Sequence, residues 1–142
     1  MKVYLAAPYS MKDTLAVHAE ELRSRGIQVT SSWLNEPYKS TISPQDLPPE
    51  ENQSYALQDV NDVVAANILV FYTDPTKTIV RAGRHVEFGM ALACGRMGRP
   101  FPIFVVGKEH ENIFHYMPQV YHFETWDAVR QRLCELAQTE RA

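Results

Sequence analysis

Asn67-Ile68-Leu69-Val70-Phe71-Tyr72 is the most hydrophobic run of the chain, and its reading decides the fold class. Five apolar or aromatic residues in succession, with no polar alternation, fit a strand covered on both faces at the centre of a parallel sheet. Working outward toward the N-terminus, residues 50–66 read as a helix with Leu57, Val60 and Val64 facing inward. Residues 31–49 hold four prolines, at 37, 44, 48 and 49, and read as an irregular segment. A loop of that length in so small a chain is expected to carry function. Residues 27–30 form a short strand, and residues 10–24 a helix. Ser10 with Asp13 three positions on suits a capping box, Leu15, Ala19 and Leu22 recur at helical spacing, and Gly26 ends the helix. Residues 2–7 are the first strand, closed by Pro8.

On the other side of the central run, a polar loop over 73–83 leads into a helix over 84–96, with Val86, Met90, Ala93 and Met97 on one side. Strands follow at 101–106 and 121–123, and a helix over 126–137, capped near Thr125 or Asp127, closes the chain. Strict alternation of strand and helix predicts an α/β fold: a doubly wound, five-stranded parallel sheet in a single domain over residues 1–142.

Composition narrows the function. With 45% hydrophobic and 22% charged residues the chain has the balance of a protein that folds around a core. Its 14 Lys and Arg against 17 Asp and Glu leave a net charge of −3, which argues against nucleic acid as a partner. The apolar start is interrupted at Pro8, too early for a signal-peptide core or a membrane span, so no membrane partner is expected. Cys94 and Cys134 form no CxxC, and the histidines at 18, 85, 110, 115 and 122 lack metal-ligand spacing. Neither a metal nor another cofactor is expected, and the expected setting is the reducing cytoplasm.

In an open parallel sheet, ligands bind beyond the carboxyl ends of the strands, near the switch in strand order. Those ends fall at residues 4–10, 31–37 and 73–87. The last holds the densest polar cluster: Asp74, Lys77, Thr78, Arg81, Gly83, Arg84, His85 and Glu87. Gly83 permits a close backbone approach or a positive φ. Glu87, placed in the first turn of the helix, would be kept ionised by free N–H groups and the helix dipole. Such a carboxylate either balances the dipole or attacks an electrophilic carbon. Ser10 is either the cap of its helix or a ligand for phosphate; its loop has none of the glycines of a dinucleotide or nucleoside-triphosphate loop.

GRHVEFGMALACG (residues 83–95), with VYLAAPYS (3–10) and LQDVNDVVAANILVFY (57–72), resembles the nucleoside 2-deoxyribosyltransferase family. That family includes the 2′-deoxynucleoside 5′-phosphate N-hydrolases. The resemblance runs from Val3 to about Phe123. It implies a flavodoxin-like domain, a homodimer or larger oligomer in which a neighbour completes each site, and a nucleoside or nucleotide substrate whose N-glycosidic bond is cleaved. The sugar would pass to water or to another base.

Position by position, the resemblance makes Glu87, in Glu87-Phe88-Gly89-Met90-Ala91, the nucleophile, with the Tyr4 hydroxyl orienting it. Asp59 becomes the second carboxylate, with Asp62 as its near rival, and Asn67 stands where the family has an Asp. Asn112 matches a polar residue that reaches into the partner's site. Tyr9 and Trp33 either stack on the base or pack in the core. Lys12, Arg81 and Arg84 either clamp a 5′-phosphate or pair with Asp74 or Asp13. The expected site is therefore Glu87, Asp59 and Tyr4 for catalysis, with Tyr9, Ser10, Trp33, Arg81, Gly83, Arg84 and Asn112 binding substrate. The aromatic segment 113–117 and the tail of the 84–96 helix supply apolar surface for the dimer. Two other functions compete: a non-catalytic nucleotide-binding sensor, and a phosphoribohydrolase of the cytokinin-activating type. Against the second, TIVRAGRHVE keeps one glycine of the three in PGGxGTxxE.

Overall fold

Every residue of Ile68–Tyr72 is buried, and this strand, β3, is the middle of the sheet. The computed structural model describes residues 1–36, 44–76 and 82–141. In chain order these contain β1 (Lys2–Ala6), α1 (Lys12–Arg23), β2 (Gln28–Val29), α2 (Pro49–Ala65), β3, α3 (Gly83–Arg96), β4 (Ile103–Val106), β5 (Val120–Phe123) and α4 (Trp126–Arg141). Short 3₁₀ turns lie at Tyr9–Met11, Ser32–Asn35, Pro44–Asp46 and Ile113–Tyr116. All strand pairs are parallel and the order is β2-β1-β3-β4-β5, the flavodoxin-like doubly wound sheet that the alternation predicts.

The chain leaves β1 in one direction for β2 and returns over β1 to β3, so right-handed crossovers put α1 on one face and α2 and α3 on the other. α4 joins α1, where Arg130 pairs with Glu21 and the Trp126 ring stacks on His18 with centroids 4.3 Å apart. β1 and β3 lie side by side, Val3 opposite Ile68, and the direction of winding changes at their carboxyl ends. That is where the ligand crevice of such a sheet opens. Asn67 precedes β3 and its side-chain oxygen accepts the Lys2 backbone N–H at 2.9 Å, tying the two strands at their start.

Several local expectations are corrected. Leu57, Val60 and Val64 point outward, 58%, 40% and 49% exposed; Val63 is the one fully buried side chain of α2. The inner face of α3 is Arg84, Glu87, Phe88 and Ala91, whereas Val86 and Met97 face out. α1 begins two residues late. Pro8 starts a 3₁₀ turn, closed by the Met11 N–H on the Pro8 carbonyl at 2.9 Å, so Met11 holds the cap position and Ser10 is exposed without a capping bond. Thr125 does cap α4, its hydroxyl accepting the Ala128 N–H at 3.2 Å. Cys94 and Cys134 are unpaired and half-buried against the core, as helix-packing cysteines should be.

His115 is fully buried in the Ile113–Tyr116 turn, stacked on Phe88 at 4.8 Å and edge-on to Phe71 at 5.0 Å. Neither ring nitrogen hydrogen-bonds to another described residue, and burial pushes its pKa down from 6.5 to about 4. A depressed histidine pKa means the unfolded chain binds the proton first, so this residue's contribution is intact above 6.5 and is lost as pH falls toward 4. Against His115→Phe, the wild type should therefore lose ground in denaturant midpoint as pH drops through that window. Parallel pH dependence of the two proteins would contradict the assignment.

Candidate active site

The crevice at the β1–β3 switch is a cavity of about 510 Å³, within the range of small-molecule sites. One wall is the loop after β1, with Ala7, Pro8 and Tyr9. Trp33 and Glu36 follow β2, Asp59 and Tyr55 come from α2, and Gly83, Arg84 and Glu87 from the start of α3. The segment around Pro44 and Leu47 also reaches it. Tyr55, Leu47 and Asn52 were not anticipated from sequence. The signal was present: Asn52, Tyr55, Ala56 and Asp59 have the i, i+3, i+4, i+7 spacing of one helix face.

Glu87 is the fifth residue of α3, because the helix starts at Gly83, and so it stands beyond the reach of the free N–H groups of the first turn. It is 9% exposed, and burial pushes its carboxyl up to about 8 rather than keeping it ionised. The hydroxyl of Tyr4, itself fully buried on β1, donates to its Oε2 and fixes the carboxyl's direction. Asp59 on the α2 wall is pushed up to about 6, first by burial, then by the charges of Glu36 and Asp62. Asp62 is turned away from the cavity lining. Its Oδ2 accepts the Ser32 backbone N–H at 3.0 Å and the Ser32 hydroxyl.

Trp33 serves core and cavity together: its Nε1 donates to the Leu5 carbonyl at 3.1 Å while the ring lines the pocket, 5.8 Å from Tyr9 at a 37° tilt. Lys12 is buried, donates to the Glu36 backbone carbonyl and lies over the Tyr9 ring. Arg84 lines the cavity, but its guanidinium is bidentate on Glu111 at 2.6 and 3.0 Å and reaches the Tyr72 carbonyl at 3.2 Å. Its partner is thus Glu111, not the expected Asp74 or Asp13. Gly83 does not take a positive φ; it opens α3 with nothing within 4 Å of where a Cβ would stand. Asn112 caps the Ile113–Tyr116 turn, its Oδ1 accepting the Phe114 N–H at 2.9 Å, and neither it nor Ser10 lines the cavity. Arg81, Lys77 and Thr78 lie outside the described residues. Among the described residues no His, Cys, Asp and Glu group is arranged to hold a metal ion, and no helix is long and apolar enough to cross a membrane.

No family model matches the chain, and no curated protein matches it. Solved structures do, two enzymes among them. A 2-deoxyribosyltransferase from Bacillus psychrosaccharolyticus is 21% identical, with 92% of this chain and 90% of that chain covered at a TM-score of 0.59. A CMP N-glycosidase, BcmB, from Clostridium botulinum is 16% identical, with 94% of this chain and 98% of that chain covered at a TM-score of 0.55. The chain has the fold of these two enzymes. At such low identity the likeness establishes the architecture alone.

A titration of the side-chain carboxyls by NMR should show Glu87 with a midpoint near 8 and Asp59 near 6. In Tyr4→Phe the Glu87 midpoint should rise further, because a hydroxyl donor favours the ionised form. A Glu87 midpoint in the ordinary carboxylate range would overturn this account of the site.

Proposed function

We propose that the chain cleaves the N-glycosidic bond of a 2′-deoxynucleoside or its 5′-monophosphate and passes the sugar to water or to a second base. The observation that carries this reading is a buried carboxyl, Glu87, aimed by the Tyr4 hydroxyl into a cavity that also holds the raised carboxyl of Asp59 and the rings of Tyr9, Trp33 and Tyr55. Two carboxyls with different environments are what displacement at an anomeric carbon requires. The names of the two similar structures, one for 2-deoxyribosyl transfer and one for CMP N-glycosidase activity, fit the same chemistry.

In the first step a Glu87 carboxylate oxygen bonds to C1′ as the C1′–N bond breaks, and the departing base takes the Asp59 proton. In the second, water or another base attacks C1′, Asp59 accepts the proton, and Glu87 leaves as carboxylate. The aromatic rings hold the flat base, and their apolar surface keeps water from the reacting carbon. At neutral pH the empty site keeps a proton on Glu87 and a charge on Asp59, while the productive arrangement is the reverse. Both share the same proton count, so the rate should be bell-shaped, rising through about 6 and falling through about 8. Of the cations expected to clamp a phosphate, Arg84 is committed to Glu111 and Lys12 donates to the Glu36 carbonyl. Acceptance of a 5′-monophosphate therefore turns on Arg81.

A second copy of the chain is proposed to cover the outward face of α2 and α3, where Leu57, Val64, Val86 and Met97 are exposed. Ile113, Phe114 and Tyr116 of the aromatic turn are exposed as well. Light scattering should give a homodimer, and Val64→Asp should shift it toward monomer. A wild-type monomer with full activity would end the proposal.

Free-base release should be measured by chromatography from each deoxynucleoside and its 5′-monophosphate, with and without a second base. Glu87→Ala should keep its fold and lose base release by about a hundredfold or more, as expected for loss of a covalent nucleophile. Retention of about a tenth of the rate would exclude that role.

A further inference from the structure

We propose that Asp62 is a positioning residue: through Ser32 it fixes the wall that carries Trp33 against the helix that carries Asp59. The proposal rests on the N-glycosidase reading of the cavity and assigns a role to a carboxylate that this chemistry leaves unused. Asp62 lies three residues beyond Asp59 on α2 and takes both donors of Ser32, its N–H and its hydroxyl, on the single oxygen Oδ2. Gln58, one residue before Asp59, donates its Nε2 to the same Ser32 hydroxyl. The Thr30 hydroxyl donates to the Asp62 backbone carbonyl at 2.8 Å. Four hydrogen bonds thus join α2, on either side of Asp59, to the stretch that leads from β2 into the Ser32–Asn35 turn.

That turn carries Trp33, pinned at its other end by the Leu5 carbonyl, and is followed by Glu36. The distance from the indole to Asp59 is therefore set by the Asp62–Ser32 contact rather than by apolar packing. The outward Leu57, Val60 and Val64 leave α2 only Val63 as a fully buried anchor. The groups around Asp59 are Glu36 from the end of the turn, Glu87 and Arg84 from α3, Tyr9 from the first loop, and Tyr55 and Asp62 on α2. Asp62 adds negative charge beside Asp59 and so helps it hold its proton.

Two substitutions separate the bond from the charge. Asp62→Asn retains an oxygen able to accept both Ser32 donors and removes the charge. Ser32→Ala retains the charge and removes the hydroxyl's bonds to Asp62 and Gln58. In Asp62→Asn the Asp59 midpoint, read by NMR without substrate, and the acidic limb of kcat/KM should both move down by about half a pH unit. In Ser32→Ala the limb should stay in place while KM rises about threefold to tenfold, the worth of one or two hydrogen bonds. The proposal is overturned if Asp62→Asn abolishes base release as Asp59→Asn does, since Asp62 would then be the acid itself. It is equally overturned if Asp59's midpoint and KM are unchanged in both variants. Should Asp62→Asn fail to fold, an unchanged KM in Ser32→Ala decides against it. A wild-type protein that releases no base fails the N-glycosidase reading alone, because the Asp59 titration still tests the contact.

Discussion

The buried contact between the Tyr4 hydroxyl and the Glu87 carboxyl joins β1, beside the central strand, to α3, one of the two helices that line the crevice. A carboxyl taken out of water resists ionisation, and among the described residues the Tyr4 hydroxyl is the donor that offsets the loss of solvent. The consequence is a carboxyl that burial holds neutral near pH 7 and that, in the proposed function, acts as nucleophile once it gives up its proton. The surroundings serve that placement. α3 must begin at Gly83 for its inner face to present Arg84, Glu87, Phe88 and Ala91 together. The buried Arg84 is neutralised by Glu111, and Phe88 is wedged between Phe71 and His115. A polar stripe on the buried side of a helix is costly, and here each member has its own partner or ring.

This inversion explains how much of the molecule the sequence disclosed. The run 67–72, the alternation of strands and helices and the parallel order were legible because buried strands announce themselves by unbroken hydrophobicity. The facing of α2 and α3 was not. Periodicity assumes that apolar residues turn inward, whereas the inner stripe of α2 carries Asn52, Tyr55 and Asp59 toward the cavity and its Leu57, Val60 and Val64 look out. Where the inner side of a helix lines a site, the apolar stripe marks the outer side.

The site was legible in its residues and less so in their electrostatics. Glu87, Asp59, Tyr4, Tyr9 and Trp33 do converge. A first-turn position for Glu87 suggested an ionised carboxylate, yet one turn of helix separates it from the free N–H groups, and burial prevails over the dipole. Of the readings of Ser10, the helix cap is the one that local geometry removes, because Pro8 starts a tight turn ahead of the helix, and Asn112, expected to serve a partner's site, caps its own turn through the Phe114 N–H. Asp62 stood as a rival to Asp59 because the position is counted back from the start of the central strand, which the sequence leaves open by a few residues. What separates them is Ser32, far away in sequence, which turns Asp62 from the cavity and leaves Asp59 in it.

The central claim is that Glu87 bonds covalently to the sugar. Its most direct test is intact-protein mass spectrometry after acid quench of the protein mixed with a 2′-deoxynucleoside or its 5′-monophosphate, followed by peptide mapping. The account predicts a mass increase equal to the deoxyribosyl group (or its 5′-phosphate), confined to the peptide that contains Glu87 and absent from Glu87→Ala. Base release without any adduct, or an adduct on another residue, would contradict it.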